Sequence, residues 1–147
     1  MITSKNAAKQ DFVPVVRELV RAYQAFASYD ARGYEGTDLT VSQADVLFTL
    51  GNTTGLSFKE IGELTLITKG TLTGVIDRME SKGLVKRKAS IDDRRISVVS
   101  LTRQGERLFE KVFPTQISYI KQRFDRLSRA ELKEIKKSLR LLTEIFG

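Results

Sequence analysis

The 147 residues carry 25 basic and 18 acidic side chains, a net charge of +7, and 41% of them are apolar. That is enough apolar material for one folded domain or a tightly fused pair, and the basic balance favours an anionic partner such as nucleic acid or an acidic membrane. Cysteine and histidine are both absent, which excludes disulfides, thiolate catalysis, thiol redox sensing and a transition-metal site of the usual nitrogen and sulfur type.

A first helix is expected from about Asp11 to Asp30. Asp11 would cap it and Pro14 would sit in the first turn, where proline is tolerated, while Phe12, Val16, Leu19, Tyr23 and Phe26 form one apolar stripe. Ala31–Leu39, with two glycines, reads as a loop. Thr40 followed by Gln43 is a capping box that opens a second helix, ended by Gly51-Asn52; Ser57 with Glu60 opens a third, to about Leu64 or Thr65. Thr68 is the expected cap of a fourth helix that runs to Lys82 and stops at Gly83.

Leu84–Ala89 and Ile96–Leu101 are strand candidates joined through the polar segment Ser90–Arg95. Thr102 restarts helix towards Phe124, with Pro114 inside it; that proline must lose the bond to Glu110 and is expected to bend the rod. Ser128 with Glu131 caps a last helix in which Leu132, Ile135, Leu139, Leu142 and Phe146 recur at helical spacing. The order predicts a mainly α fold with a small β-hairpin wing, a winged helix-turn-helix between terminal helices. Its parts would be residues 1–38, an N-terminal helix; 39–101, the winged region; and 102–147, the C-terminal helices.

A compact helix pair followed by an arginine-tipped ribbon suits duplex DNA, the helix in the major groove and the arginines in the narrower one. On the fourth helix Leu72, Val75, Ile76 and Met79 share the side that should pack inward. Gly70, Thr71, Thr73, Gly74, Asp77 and Arg78 share the other, with Lys69 near the start. Two glycines cost such a helix roughly 1 kcal/mol each relative to alanine. Close approach of the backbone to a groove would account for them, and so would packing against a neighbouring helix. On the hairpin, alternation puts Lys86 and Lys88 on one face, within reach of phosphate or simply solvated. Asp92–Arg95 taken alone is a solvated turn as readily as a contact.

The ordered series Leu66-Ile67-Thr68-Lys69-Gly70-Thr71-Leu72-Thr73, Asp77-Arg78-Met79-Glu80, Lys82-Gly83-Leu84-Val85 and Asp93-Arg94-Arg95, with Val99, Leu101-Thr102 and Gly105 behind it, resembles the MarR family of bacterial transcriptional regulators. Pro114 and Leu127-Ser128 are also similar to that family, so the resemblance covers nearly the whole chain. It implies that the fourth helix enters the major groove through Lys69, Gly70, Thr71, Thr73 and Gly74, with Arg78 at or near a phosphate. It implies that Arg94 and Arg95 reach the minor groove and that Asp93 pairs with an arginine to hold its direction. A two-fold homodimer through the first, fifth and sixth helices is implied as well. It would bind a pseudo-palindromic operator, typically as a repressor released by a small aromatic ligand and needing no cofactor.

The apolar terminal helices need partners in any reading; an intramolecular bundle is the plain one, the dimer the family one. Tyr23, Phe26, Tyr29 and Tyr34 could line a ligand pocket, although a stripe at helical spacing more often packs into a core, so no ligand residue is assigned. Charge by itself does not mark a DNA-facing surface: residues 1–58 carry net −1, residues 59–107 net +4 and residues 108–147 net +4. A winged protein-interaction module without specific DNA binding is the alternative. An enzyme has no positive support, since no Gly-rich phosphate loop or paired carboxylates stand out. No long apolar run suggests a membrane span, and the polar start Met1–Gln10 lacks a signal-peptide core; a soluble, cytoplasmic protein is expected.

Overall fold

The computed structural model describes all 147 residues. After a short 3-10 turn at Ala7–Lys9 come α1 (Val13–Arg32), α2 (Val41–Leu50), β1 (Leu56–Ser57), α3 (Phe58–Leu64), α4 (Lys69–Ser81), β2 (Val85–Ala89), β3 (Ser97–Leu101), α5 (Arg103–Phe124) and α6 (Arg129–Phe146). The fold is mainly helical with a hairpin wing, as the element order predicts.

Three helix starts form as their sequences dictate. The side chains of Thr40, Ser57 and Ser128 accept from the backbone N–H groups of Gln43, Glu60 and Glu131 at 3.1–3.2 Å, and those three residues reach back to the cap N–H groups. Each box satisfies two N–H donors that the helix itself cannot. Two other expected caps differ. α1 begins two residues later than Asp11 and its N-cap is Phe12, with no side-chain cap; it also runs on to Arg32, because no helix breaker precedes Gly33. Thr68 is the N-cap of α4, but its hydroxyl bonds the Thr71 hydroxyl at 3.0 Å instead of a helix N–H.

α4 ends where Gly83 takes φ +75°, a left-handed conformation that a Cβ would strain. The Leu84 N–H then reaches the Met79 carbonyl and the Gly83 N–H reaches Glu80, both at 2.9 Å, closing the helix end and turning the chain into the wing. β3 lies centrally, paired antiparallel with β2 (Val85↔Leu101 to Ala89↔Ser97) and with β1 (Leu56↔Val99, Ser57↔Val98). Thr102 caps α5 by accepting from the Gly105 N–H, and Gly105 lies so close to the Leu84 carbonyl that a side chain would not fit there. α5 continues unbroken through Pro114.

The core belongs to the winged region. Val46, Leu47, Leu50, Ile61, Leu72, Val75, Ile76, Met79, Leu84, Val85, Val99 and Leu101 form one buried cluster, to which α5 adds Phe109. Phe48 and Phe113, ring centroids 5.0 Å apart, and Phe109, stacked on Phe113 at 4.9 Å, continue it towards α5. α1 and α6 contain no buried residue at all. α1 is joined to α5 by Gln116, whose Nε2 donates to the Asp30 carbonyl and carboxylate at 3.0 and 2.7 Å, and by Tyr29, which stacks on Tyr119.

Candidate nucleic-acid interface

The inward face of α4 is filled by Leu72, Val75, Ile76 and Met79, each at most 2% exposed. With that side locked, Lys69, Gly70, Thr71, Thr73 and Arg78 stand exposed on the opposite side, and Gly74 is half-buried there. A Cβ built on Gly70 would meet nothing within 4 Å, and one on Gly74 would touch only the flexible tip of Arg78. Neither glycine packs against a neighbouring helix. They leave a shallow, side-chain-poor strip at the start of α4, where free backbone N–H groups and the helix dipole favour an anion.

The wing presents its cations in two ways. Arg95 is tied to Asp93: the Asp93 carboxylate accepts from the Arg95 backbone N–H at 3.0 Å and from Nε and a terminal guanidinium nitrogen at 3.1 Å each. The Arg95 side chain, then its backbone N–H, holds the Asp93 carboxyl below the usual range. The rest of the Arg95 guanidinium points into solvent. Arg94 is exposed and makes no hydrogen bond or ion pair. Lys86 and Lys88 are both exposed on β2, with half-buried Arg87 between them on the opposite face.

Arg87 is the residue that sequence reasoning passed over. Its guanidinium lies over the Phe58 ring, 5.4 Å from the centroid, and pairs with Asp77 and, at 3.5 Å, with Glu80. It therefore fastens the wing strand to α4 and α3. It also withdraws the Asp77 carboxylate, which shares the outward face of α4, from any negative contribution to that face. The only signal in the sequence was an arginine at an inward strand position. At the other end of α4, Lys82 Nζ donates to the Asp38 carbonyl at 2.7 Å and to Gln43 Oε1 at 3.3 Å, anchoring the helix to the start of α2.

Two cavities flank α1. The first, about 360 Å³, opens between α1, α2 and the turn linking α3 to α4. Tyr23, Phe26 and Phe48 supply its aromatic wall, Asp30 and Asp45 its charge, and Leu66 its floor on the α4 side. Burial, then the neighbouring Asp30, raises the Asp45 carboxyl above its ordinary value. The second, about 350 Å³, lies between α1 and α5, where Arg123 and Arg32 sit 4.8 and 5.6 Å from the Tyr29 ring. The four aromatic residues weighed for a pocket thus divide. Tyr23 and Phe26 line the first cavity, Phe26 and Tyr29 the second, and Tyr34 is buried, its hydroxyl pushed well above its usual pKa by burial and by Asp30 and Asp45.

A family model described as the MarR family matches residues 37–96. The chain is 30% identical to the HTH-type transcriptional regulator MhqR of Bacillus subtilis over 115 residues, 78% of this chain and 79% of that one. It is 36% identical over 110 residues to the organic hydroperoxide resistance transcriptional regulator of the same organism, 73% of this chain and 71% of the relative. Among solved structures it superposes on BpsR of Bordetella bronchiseptica, described by its regulation of DNA binding by 6-hydroxynicotinic acid, with a TM-score of 0.77 and 29% identity, covering 88% of this chain and 98% of that one. The fold also matches AbsC of Streptomyces coelicolor, a MarR family transcriptional regulator, with a TM-score of 0.81 at 22% identity over 99% and 97% of the two chains.

Proposed function

The chain belongs to the MarR family of winged helix-turn-helix DNA-binding transcriptional regulators, and from that premise we propose that it acts as a homodimeric repressor of a pseudo-palindromic operator, released by a small ligand. Like the family, it is a regulator and not an enzyme; its side chains bind and orient, and no covalent step is assigned to them.

The observation that carries this reading is the open, side-chain-poor start of α4 fastened through Arg87 to an arginine-tipped wing. Lys69, Gly70, Thr71, Thr73 and Gly74 meet the major groove. The threonine hydroxyls bond base edges, and the helix N-terminus and Arg78 hold phosphates. Arg95, aimed by Asp93, and Arg94 enter the adjoining minor groove, and Lys86 and Lys88 lie against the backbone.

The dimeric reading is supported by the apolar residues left uncovered in a single copy. Phe12 at the N-cap of α1, Val16, Leu19 and Tyr23 on α1, Ile117 and Phe124 on α5 and Leu132, Ile135, Leu139 and Phe146 on α6 are all exposed. Too much apolar surface for one small monomer is left in water, and a second copy would cover it. Two copies would carry their α4 helices into successive major grooves about 34–36 Å apart. Ligand response is supported by the first cavity, whose wall includes Leu64–Leu66, the turn that leads into α4. A ligand there would bear on the helix that reads the groove. A relative acts in organic hydroperoxide resistance, but this chain has no cysteine, so a thiol cannot be its sensor.

Selection of bound duplexes from genomic fragments tests the reading, because it returns site, symmetry and spacing together. Enrichment of an inverted repeat with half-sites one helical turn apart is expected. Binding should weaken about 10³–10⁵-fold between 50 and 200 mM salt if six to ten phosphates are contacted. No enrichment at low salt would favour a protein partner for the winged surface.

A further inference from the structure

Resting on the ligand-responsive reading, we infer that the cavity between α1, α2 and the α3–α4 turn is a site for a small aromatic amine, bound as its ammonium form between Asp30 and Asp45. Its volume, about 360 Å³, falls within the range of about 300–1,000 Å³ typical of small-molecule sites.

The lining sets the sign of the charge that can enter. Two carboxylates face the space from different helices, Asp30 from α1 and Asp45 from α2, and no lysine or arginine lines it. Asp30 is held in place by Gln116, a buried side chain that donates to its Oδ1 at 2.7 Å. Asp45 is half-buried, and neither a hydrogen bond nor a cation meets its carboxylate. Two acids brought together in a partly dry pocket repel each other, and a cation between them removes both the repulsion and the unmet charge. The aromatic wall of Tyr23, Phe26 and Phe48 acts in the same direction, since the faces of such rings attract a cation and accept a flat apolar body. A carboxylated aromatic of the same size would bring a third negative charge into the space.

The site also has a route to the DNA-facing helix. Leu64, Thr65 and Leu66 also line the cavity, and Thr68, two residues further on, is the N-cap of α4. An amine that draws Asp30 and Asp45 together shifts α1 and α2 against that turn. Occupancy thereby alters how the start of α4 is presented.

Three probes with the same ring test the charge preference: tyramine, uncharged 4-ethylphenol and the anion 4-hydroxyphenylacetate, titrated calorimetrically into the full chain. Tyramine should bind at least about tenfold more tightly than 4-ethylphenol, and 4-hydroxyphenylacetate should fail to displace it. In Asp45→Asn the preference for the amine should fall by about tenfold, with the melting curve showing that the variant is folded. Absent tyramine binding, displacement by the carboxylate, or an unchanged preference in Asp45→Asn would each overturn the assignment. Duplex binding is measured alongside. A protein that takes tyramine but no duplex would keep the amine site and lose the regulator reading. One that binds duplex and ignores tyramine would do the reverse.

Discussion

The winged region and the terminal helices solve the same problem in opposite ways. From Val46 to Leu101 the chain closes an apolar core by itself, with twelve buried side chains drawn from α2, α3, α4, the turn after α4 and the sheet. α1 and α6 are just as regularly striped, yet neither buries a residue, and Ile135, Leu139 and Phe146 are 42%, 50% and 73% exposed. An apolar stripe thus records that a helix has a partner, not where that partner comes from. In the first region the partner lies within the chain; in the second the stripe stays uncovered in a single copy, and the proposed dimer rests on it.

The largest effect should come from charging the uncovered stripe. Ile135→Glu with Leu139→Glu should give a folded monomer in sedimentation and, by removing the second half-site contact, weaken operator binding about 10²–10⁴-fold. A wild-type protein already monomeric at micromolar concentration would break the comparison. Within the closed core, Leu72→Ala should cost about 2–5 kcal/mol in urea denaturation, whereas Leu139→Ala should cost an amount that depends on protein concentration. A concentration-independent loss at Leu139 would place that side chain in an intramolecular bundle.

Smaller effects sharpen the account of the proposed DNA-facing surface, which neither region buries. Thr71→Ala or Thr73→Ala should change which operators are preferred by about 1–3 kcal/mol, seen by competition between selected sequences; a uniform loss would mean backbone contact instead. Arg94→Ala or Arg95→Ala should weaken binding with fold and dimer intact, each lowering the salt slope by about 1 if it meets a phosphate. Asp93→Ala should lower affinity less than Arg95→Ala, since it frees the guanidinium without removing it.

The smallest effect is on stability against pH. Asp45 has a raised folded carboxyl pKa, so the folded state takes up its proton first. Its penalty is full at neutral pH and is relieved as pH falls through that raised value towards the ordinary Asp value of about 3.9. Asp45→Asn should therefore melt at a higher temperature than wild type at pH 7, and the difference should shrink on acidification. Asp93 and Glu131, both lowered, act in the opposite sense: their contribution is present at neutral pH and is lost on acidification.

Local chemistry explains what could be read in advance. The boxes at Thr40, Ser57 and Ser128 need only residues three apart, and the inward face of α4 follows from helical spacing. The misreadings have one local cause and two that are not local. Asp11 is an acceptable cap residue, but the helix begins with Val13, one position too late for it to serve. β1 is two residues long and exists only because Val98 and Val99, some forty positions later, pair with it. Arg87 looked like one cation among three, because its partners Phe58, Asp77 and Glu80 come from two other elements.

Helix caps, periodicity and the polar hairpin tip, all interactions among residues a few positions apart, determined the order of elements, the winged architecture and which side of α4 faces out. Tertiary contacts decided the rest. They set the clamp of Arg87 between wing and helix, the pinning of Asp30 by Gln116 and the meeting of Asp30 and Asp45 in one cavity. Those features depend on side chains from different elements arriving within a few ångströms of one another, and no spacing along the chain encodes that distance.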